Sequence, residues 1–388
     1  MTTQMPEFVE QVVGSPHDLQ LDGTKIGWYK DRVLAWQRGE KIAPITMDVA
    51  WTRKCQSACN FCYASLQASD GGGEITKKHA FEFLEDAAEI GVKGISLISD
   101  GESTNVPYYA ESIKYGASLG IQIGISSNGV LLTRDVLEEI LPSLTYLRFN
   151  FSGGERKRYA EIMGMKQVWF DKIIANIKAA MEIKKRDNLQ TNINMQFVVA
   201  PRDADQIIPF AKLAKEMGNS VPDNGGFYGI MKHCADSADN SLGVDYRQYS
   251  DLFPLFEEAE AMSDENCRIV VKWSRIQDEG KRHYTRCFGP PFILQMSGSG
   301  LIAPCGQKFN DKYAKFHIGH IQKQRFRDIF KSDRYWDVLG YLAGGAFRPD
   351  LECGENCLQQ NSNQWLYDYV EGKVGFNTSP PPPHMGFL

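Results

Sequence analysis

Residues 55–63 read CQSACNFCY, and the fold follows from them. Cys55, Cys59 and Cys62 are spaced C-x-x-x-C-x-x-C, with Phe61 directly before the third cysteine and Tyr63 directly after it. Three thiolates held this closely can ligate three irons of a four-iron, four-sulfur cube and leave the fourth iron without a protein ligand. The alternatives fit the spacing less well. A structural zinc site takes four ligands, commonly as two C-x-x-C-like pairs, and the nearest histidine, His79, lies seventeen residues beyond Cys62 in a segment that reads as helix. Nine cysteines is an odd count and the N-terminus shows no secretory signal, which argues against a disulfide scaffold. Bacterial ferredoxins use a tighter run of four cysteines, and the fourth is absent.

Working outward, 388 residues of which 43% are hydrophobic can bury a large core, one large domain with a smaller one or two. Met1 to Val12 carries two glutamates and no apolar signal region, and no stretch reaches about eighteen uninterrupted apolar residues. A cytoplasmic protein is expected, with no membrane partner, in a reducing compartment that suits thiols meant for iron. The formal charge of −5 argues against a nucleic-acid surface, and Arg156, Lys157 and Arg158 read as a solvated helix face. Pro380 to Pro383 suggests a polyproline II tail.

Short β-rich runs alternate with longer helical patterns, which argues for parallel βα units. The expected strands are Ile45–Thr52, Gly94–Ser99, Ile121–Ser127, Tyr146–Phe151, Asn192–Ala200 and Gly226–Met231. Phe81, Leu84 and Ala88 share one helical face, as do Ile173, Ile174, Ile177 and Met181, so these segments can lay apolar stripes on a sheet. Six such units make an incomplete barrel. Chemistry in βα barrels collects at the C-terminal ends of the strands, so the residues just after each strand matter most.

The cysteine spacing and its aromatic neighbour resemble the signature of the radical S-adenosylmethionine superfamily. The resemblance implies an α/β fold, a (β/α)6 partial TIM-like barrel with the cluster loop just after the first strand, a 4Fe-4S cluster with an open iron, and S-adenosyl-L-methionine as cofactor. Asp100-Gly101-Glu102 sits where that family has Gly-Gly-Glu, which receives the cofactor's amino group; Asp100 replaces the first glycine. Ser127-Asn128-Gly129 resembles its Ser/Thr-Asn-Gly turn, and Asn150 stands where a serine contacts the cofactor in relatives. Tyr63 joins this cofactor-binding set. Met163 occupies the place of an arginine that pairs with the cofactor carboxylate in relatives.

A second cysteine set follows. Cys287, then Gly300 and Cys305, resemble the opening of the SPASM and twitch domains that hold auxiliary clusters. Ile293–Met296 and Leu301–Ala303 read as a hairpin turning at Ser297–Gly300, which would bring Cys287 and Cys305 together. Phe316–Ile321 and a helix through Phe326, Ile329 and Phe330 continue the pattern, and Cys353 with Cys357 could complete four-thiolate ligation of an auxiliary 4Fe-4S cluster. A zinc ribbon also suits four cysteines in two pairs. The expected organisation is an N-terminal extension at 1–44, the partial barrel at 45–265, a smaller α+β auxiliary domain of hairpin plus helix at 266–370, and a proline-rich tail at 371–388. Two cysteines remain. Cys234 follows the sixth strand, where a thiol could give a hydrogen atom to a substrate radical or sit inert in the core. Cys267 begins a strand through Arg268–Trp273, entered from the end opposite the mouth, and reads as packing.

The resemblance implies reductive cleavage of S-adenosylmethionine and hydrogen abstraction from a substrate. With 44 residues before Ile45 and a single helix at Lys30–Arg38, the expected substrate is a small molecule, a sugar, cyclitol or nucleoside that is dehydrogenated or epimerised. The alternatives are a maturase acting on a ribosomally made peptide, and a non-enzymatic electron carrier, which the strand-end motifs speak against. An electron donor such as flavodoxin or ferredoxin is implied.

Overall fold

The computed structural model describes residues 23–66, 73–235, 242–354 and 356–388; residues 1–22 of the expected N-terminal extension lie outside them. Strands β1 (Thr46–Val49), β2 (Gly94–Leu97), β3 (Gln122–Ser127), β4 (Tyr146–Asn150), β5 (Asn192–Val199) and β6 (Phe227–His233) occupy the six expected runs. They pair in parallel and in sequence order. Two more parallel strands flank them: β7 (Cys267–Val271) extends β6, and β8 (Ile293–Met296) pairs with β1 on the opposite edge. Antiparallel β9 (Leu301–Ala303) and β10 (Gly319–His320) complete a ten-stranded sheet that begins at β10 and ends at β7. β7 and β8 do not bond, so the barrel is open between them. The hairpin of the second cysteine set is therefore continuous with the barrel sheet through β8.

Helices α1 (Lys30–Gln37), α2 (Lys77–Ile90), α3 (Tyr109–Ser118), α4 (Arg134–Ile140), α5 (Arg156–Met163), α6 (Val168–Arg186), α7 (Ile207–Ser220) and α8 (Phe253–Glu260) precede or follow the barrel strands. The α2 stripe lies one residue from the expected one: Ala80, Phe83, Leu84 and Ala87 are buried, and Phe81 instead stacks on Tyr115 of α3 with ring centroids 4.8 Å apart. In α6, Ile173, Ile177 and Met181 are buried as their spacing requires. Thr76 caps α2 by accepting from the His79 N–H, and Gly91 ends it in a left-handed conformation. His79 is thus a helix-start residue. Among the described residues, no helix is long and apolar enough to cross a membrane.

The sheet's outward face, Val49, Ile95, Ile125, Phe149, Phe197 and Met231, packs on the helices. A second apolar cluster joins Ile26, Val33 and Ile45 to Phe292, Trp365 and Leu366, fastening α1 to the C-terminal part of the chain.

The chain beyond Pro383 is not a free tail. It runs back under the barrel at the N-terminal ends of the strands. Thr46 Oγ1 donates to Gly386 O at 2.8 Å, Gly386 N–H donates to Gln122 at 2.7 Å, and Phe387 packs edge-on against Tyr146 with centroids 4.9 Å apart. The Lys25 ammonium donates to the carbonyls of His384 and Phe387. The Tyr146 ring lies across Gly124, where a Cβ would meet it at 2.0 Å. These groups form a floor. A Cβ on Gly94 would meet Gly386 O at 2.1 Å. Gly94→Ala is therefore expected to unseat residues 384–388 and to destabilise the protein by about 1–3 kcal/mol, the usual cost of overpacking. Urea unfolding would read the loss, and limited proteolysis would cut before residue 384 in the variant alone.

Candidate radical and iron–sulfur site

The loop after β1 carries Cys55, Cys59 and Cys62 at the mouth of the barrel, and its backbone is tied down from several sides. Lys54 O accepts from the Glu102 N–H at 3.0 Å and from Asn105 Nδ2 at 3.2 Å. Gln56 Nε2 donates to Asn128 Oδ1, and Asn128 Nδ2 to Ser57 Oγ, at 3.2 and 3.3 Å. The N–H groups of Ala58 and Asn60 donate to the carbonyls of Met163 and Ile162, at 3.2 and 2.9 Å. Gly164 lets the end of α5 approach so closely, since a Cβ there would meet Ala58 O at 2.3 Å. The loop is thus held largely through groups other than its thiols. Cys55 is exposed, Cys59 and Cys62 half-buried. Burial, then the neighbouring thiolates, push Cys59 well above the ordinary thiol range, and Cys55 is shifted the same way. Cys59 thus lies near enough to Cys55 and Cys62 to feel their charge, although among the described residues no group of three or more Cys, His, Asp or Glu side chains is drawn together closely enough to hold a metal ion.

Asp100 explains itself here. It accepts from Ser297 Oγ and the Gly298 N–H, each at 2.7 Å, and pairs with Arg53 Nε at 3.0 Å. The carboxylate ties the end of β2, the cysteine loop and the β8–β9 turn together. Gly101 is left-handed, φ 96°, and a Cβ would meet Thr52 O at 2.1 Å, so its freedom serves the approach of the cysteine loop. Glu102 is buried and fully engaged: it accepts from Thr104 Oγ1 at 2.8 Å, Ser127 Oγ at 3.0 Å and the Asn128 N–H at 2.8 Å. Burial raises its pKa against those bonds. Gly101, Glu102, Ser127 and Asn128 therefore meet in one knot beneath the loop, while Asn150 stands apart, accepting from Ser126 Oγ at 2.9 Å. Met163 sets its sulfur 3.9 Å from that of Cys59.

Cys234 is buried, and its thiol faces the carbonyl of Phe61 at 3.7 Å and that of Ala235 at 3.4 Å. It braces the cysteine loop. Cys267 opens β7 opposite Phe227, buried at the end of the barrel away from the mouth.

The thiols of the second set also act on one another. Burial, then Cys357, Cys353 and Cys305, raise Cys287; burial, then Cys353, push Cys305 up to about 12. Cys357 Sγ accepts from the Gln359 N–H at 3.3 Å and from Asn363 Nδ2 at 3.5 Å. Arg275 and Arg282 grip the carbonyls of Cys357 and Gly354. Tyr63 lies between the sets. A Cβ on Gly306, next to Cys305, would meet the Tyr63 hydroxyl at 2.8 Å, and burial, then the nearby carboxylates and thiolates, keep that phenol protonated.

Residues 49–211 match the Radical SAM superfamily model, so the chain contains a radical SAM superfamily domain. The cofactors of that superfamily are a 4Fe-4S cluster and S-adenosylmethionine, and three free thiols carried on one loop that is otherwise held by other groups suit the cluster in number and kind. Over 301 residues the chain is 25% identical to the AdoMet-dependent heme synthase of Methanosarcina barkeri, covering 73% of this chain and 82% of that protein. Over 294 residues it is 23% identical to the mycofactocin maturase MftC of Mycolicibacterium smegmatis, covering 72% and 68%. Among solved structures, Streptococcus suis SuiB bound to S-adenosylmethionine superposes with a TM-score of 0.61 at 16% identity, over 93% of this chain and 81% of that one.

Asp100→Gly is expected to destabilise this protein by about 1–3 kcal/mol, because Arg53, Ser297 and the Gly298 N–H lose their acceptor. Thermal unfolding of the two proteins would measure it.

Proposed function

We propose that this chain is a two-cluster radical S-adenosylmethionine enzyme that matures a peptide. The observation that carries the two-cluster part is the β8–β9 hairpin paired directly with β1, which sets Cys287 before it and Cys305 after it within electrostatic reach of Cys353 and Cys357. The similarity to a protein named as a maturase supports the peptide over the sugar, cyclitol or nucleoside expected from the sequence. A small-molecule substrate is the second reading, favoured by the similarity to a heme synthase of which this chain covers 82%.

When bound, the cluster and S-adenosylmethionine supply a one-electron reductive cleavage that yields a radical able to take hydrogen from an unactivated C–H bond. Cys55, Cys59 and Cys62 would hold three irons. Gly101, Glu102, Ser127 and Asn128 shape the strand ends on which the cofactor would rest, with Asn150 and Tyr63 beside it. Four thiolates at Cys287, Cys305, Cys353 and Cys357 would leave an auxiliary 4Fe-4S cluster without an open iron, suited to carrying an electron. Flavodoxin or ferredoxin would supply the reducing electron. In this reading Cys234 positions the loop and gives no hydrogen atom.

Anaerobically reconstituted protein is expected to hold about eight irons per chain and a Cys305→Ala/Cys353→Ala variant about four, on the four-iron assumption. With dithionite and S-adenosylmethionine it should release 5′-deoxyadenosine, and Cys59→Ala should abolish that. Absence of 5′-deoxyadenosine from the fully loaded protein would defeat the enzyme reading. Mass spectrometry of candidate precursor peptides, looking for loss of hydrogen, separates the maturase from the small-molecule enzyme.

A further inference from the structure

The inward face of the barrel is as polar as its outward face is apolar. In β4, Leu147 and Phe149 pack outward and Arg148 takes the opposite face; in β5, Asn192, Asn194 and Gln196 alternate with Ile193, Met195 and Phe197. The same alternation in β6 turns Lys232 away from the outward-packed Met231. Lys272 follows β7 directly, and its N–H donates to Met231 O at 2.9 Å, which extends the ladder and sets Lys272 beside Lys232.

These groups feel one another across the lumen. Burial, then Arg148, Lys232 and Arg275, lower Lys272 well below the ordinary lysine range, and burial, then Arg148 and Arg275, bring Lys232 down to about 8. The facing carboxylate is Asp48 on β1, which feels Arg148 and Lys232 but is already held by Gln295 Nε2 at 2.8 Å. Arg148 Nε donates to Asn194 Oδ1 at 3.3 Å. Neither lysine ammonium makes an ion pair or hydrogen bond with a described residue. All four charged side chains keep some exposure to solvent. Basic groups gathered here around one carboxylate give up charge when no anion accompanies them, and a ligand that brings negative charge offsets that cost. With the floor closed, such a ligand enters by the mouth, past the cysteine loop.

We propose that Arg148, Lys232 and Lys272 form a carboxylate-binding subsite inside the barrel that holds an acidic group of the substrate. That the carboxylate belongs to a peptide rests on the maturase reading; the subsite itself does not.

Reconstituted holoenzyme with S-adenosylmethionine can be titrated calorimetrically with succinate, with succinamide, and with a mixed hexapeptide pool lacking Asp and Glu, as free acid and as C-terminal amide. The acids are expected to bind at least about tenfold tighter than the amides, the worth of one charge-assisted hydrogen bond. Lys232→Met/Lys272→Met should erase the difference at unchanged iron content, and Lys232→Arg/Lys272→Arg should keep it. Equal binding of acids and amides would overturn the proposal. So would a matching loss of S-adenosylmethionine affinity in the methionine variant, which would assign the cations to the cofactor's own carboxylate. Lysine-dependent binding of succinate with no binding of either peptide pool would uphold the subsite and defeat the peptide reading.

Discussion

The parallel pairing of β8 with β1 is the constraint on which the rest depends. Thr46 to Val49 register against Ile293 to Met296, so the strand that launches the first cysteine loop also anchors the hairpin of the second set. Strands in register share backbone bonds along their whole length, and neither set can shift without breaking that ladder. Asp100 reinforces the arrangement at the mouth, where it binds Arg53 from the one loop and the Ser297–Gly298 turn from the other. A buried carboxylate with several donors is a strong fastening because each donor would be stranded without it. Asp100 thus serves this fold as a cross-link between the two loops.

Much of this was legible in the sequence, and the reasons differ by element. The six central strands were readable because each is a short β-branched or apolar run followed by a turn and an amphipathic helix. The cysteine triplet was readable because its chemistry demands close spacing. β7 was expected as a strand and β8 as half of a hairpin, yet their places at the two edges of the barrel sheet were not, since pairing partners leave no periodic trace in one chain. The β8–β9 hairpin was legible because two apolar arms flank the Ser297–Gly300 turn.

What escaped the sequence reading was the lumen. The alternation Asn192-Ile-Asn-Met-Gln196 and the place of Arg148 between Leu147 and Phe149 are period-2 signals as clear as any apolar stripe. The sequence reading took them as strands without assigning either face. Asp100 was legible as a departure, but its partners lie almost 200 residues away in Ser297 and Gly298, beyond any local pattern. Gly101 owes its place in the fold to contacts no local pattern shows: its missing side chain makes room for Thr52 and Arg53.

The floor of the barrel has a consequence for how the molecule can be made and handled. The contact between Thr46 and Gly386 spans 340 residues, so a growing chain can lay down β1 to β7 while the lower opening still admits water, and the barrel becomes single-ended only when residues 384–388 emerge. Those residues lie on the face opposite the cysteine loops. A polypeptide joined after Leu388, whether a fluorescent reporter or an affinity handle, would therefore leave from the sealed side and spare the mouth, provided the five-residue seal keeps its seat.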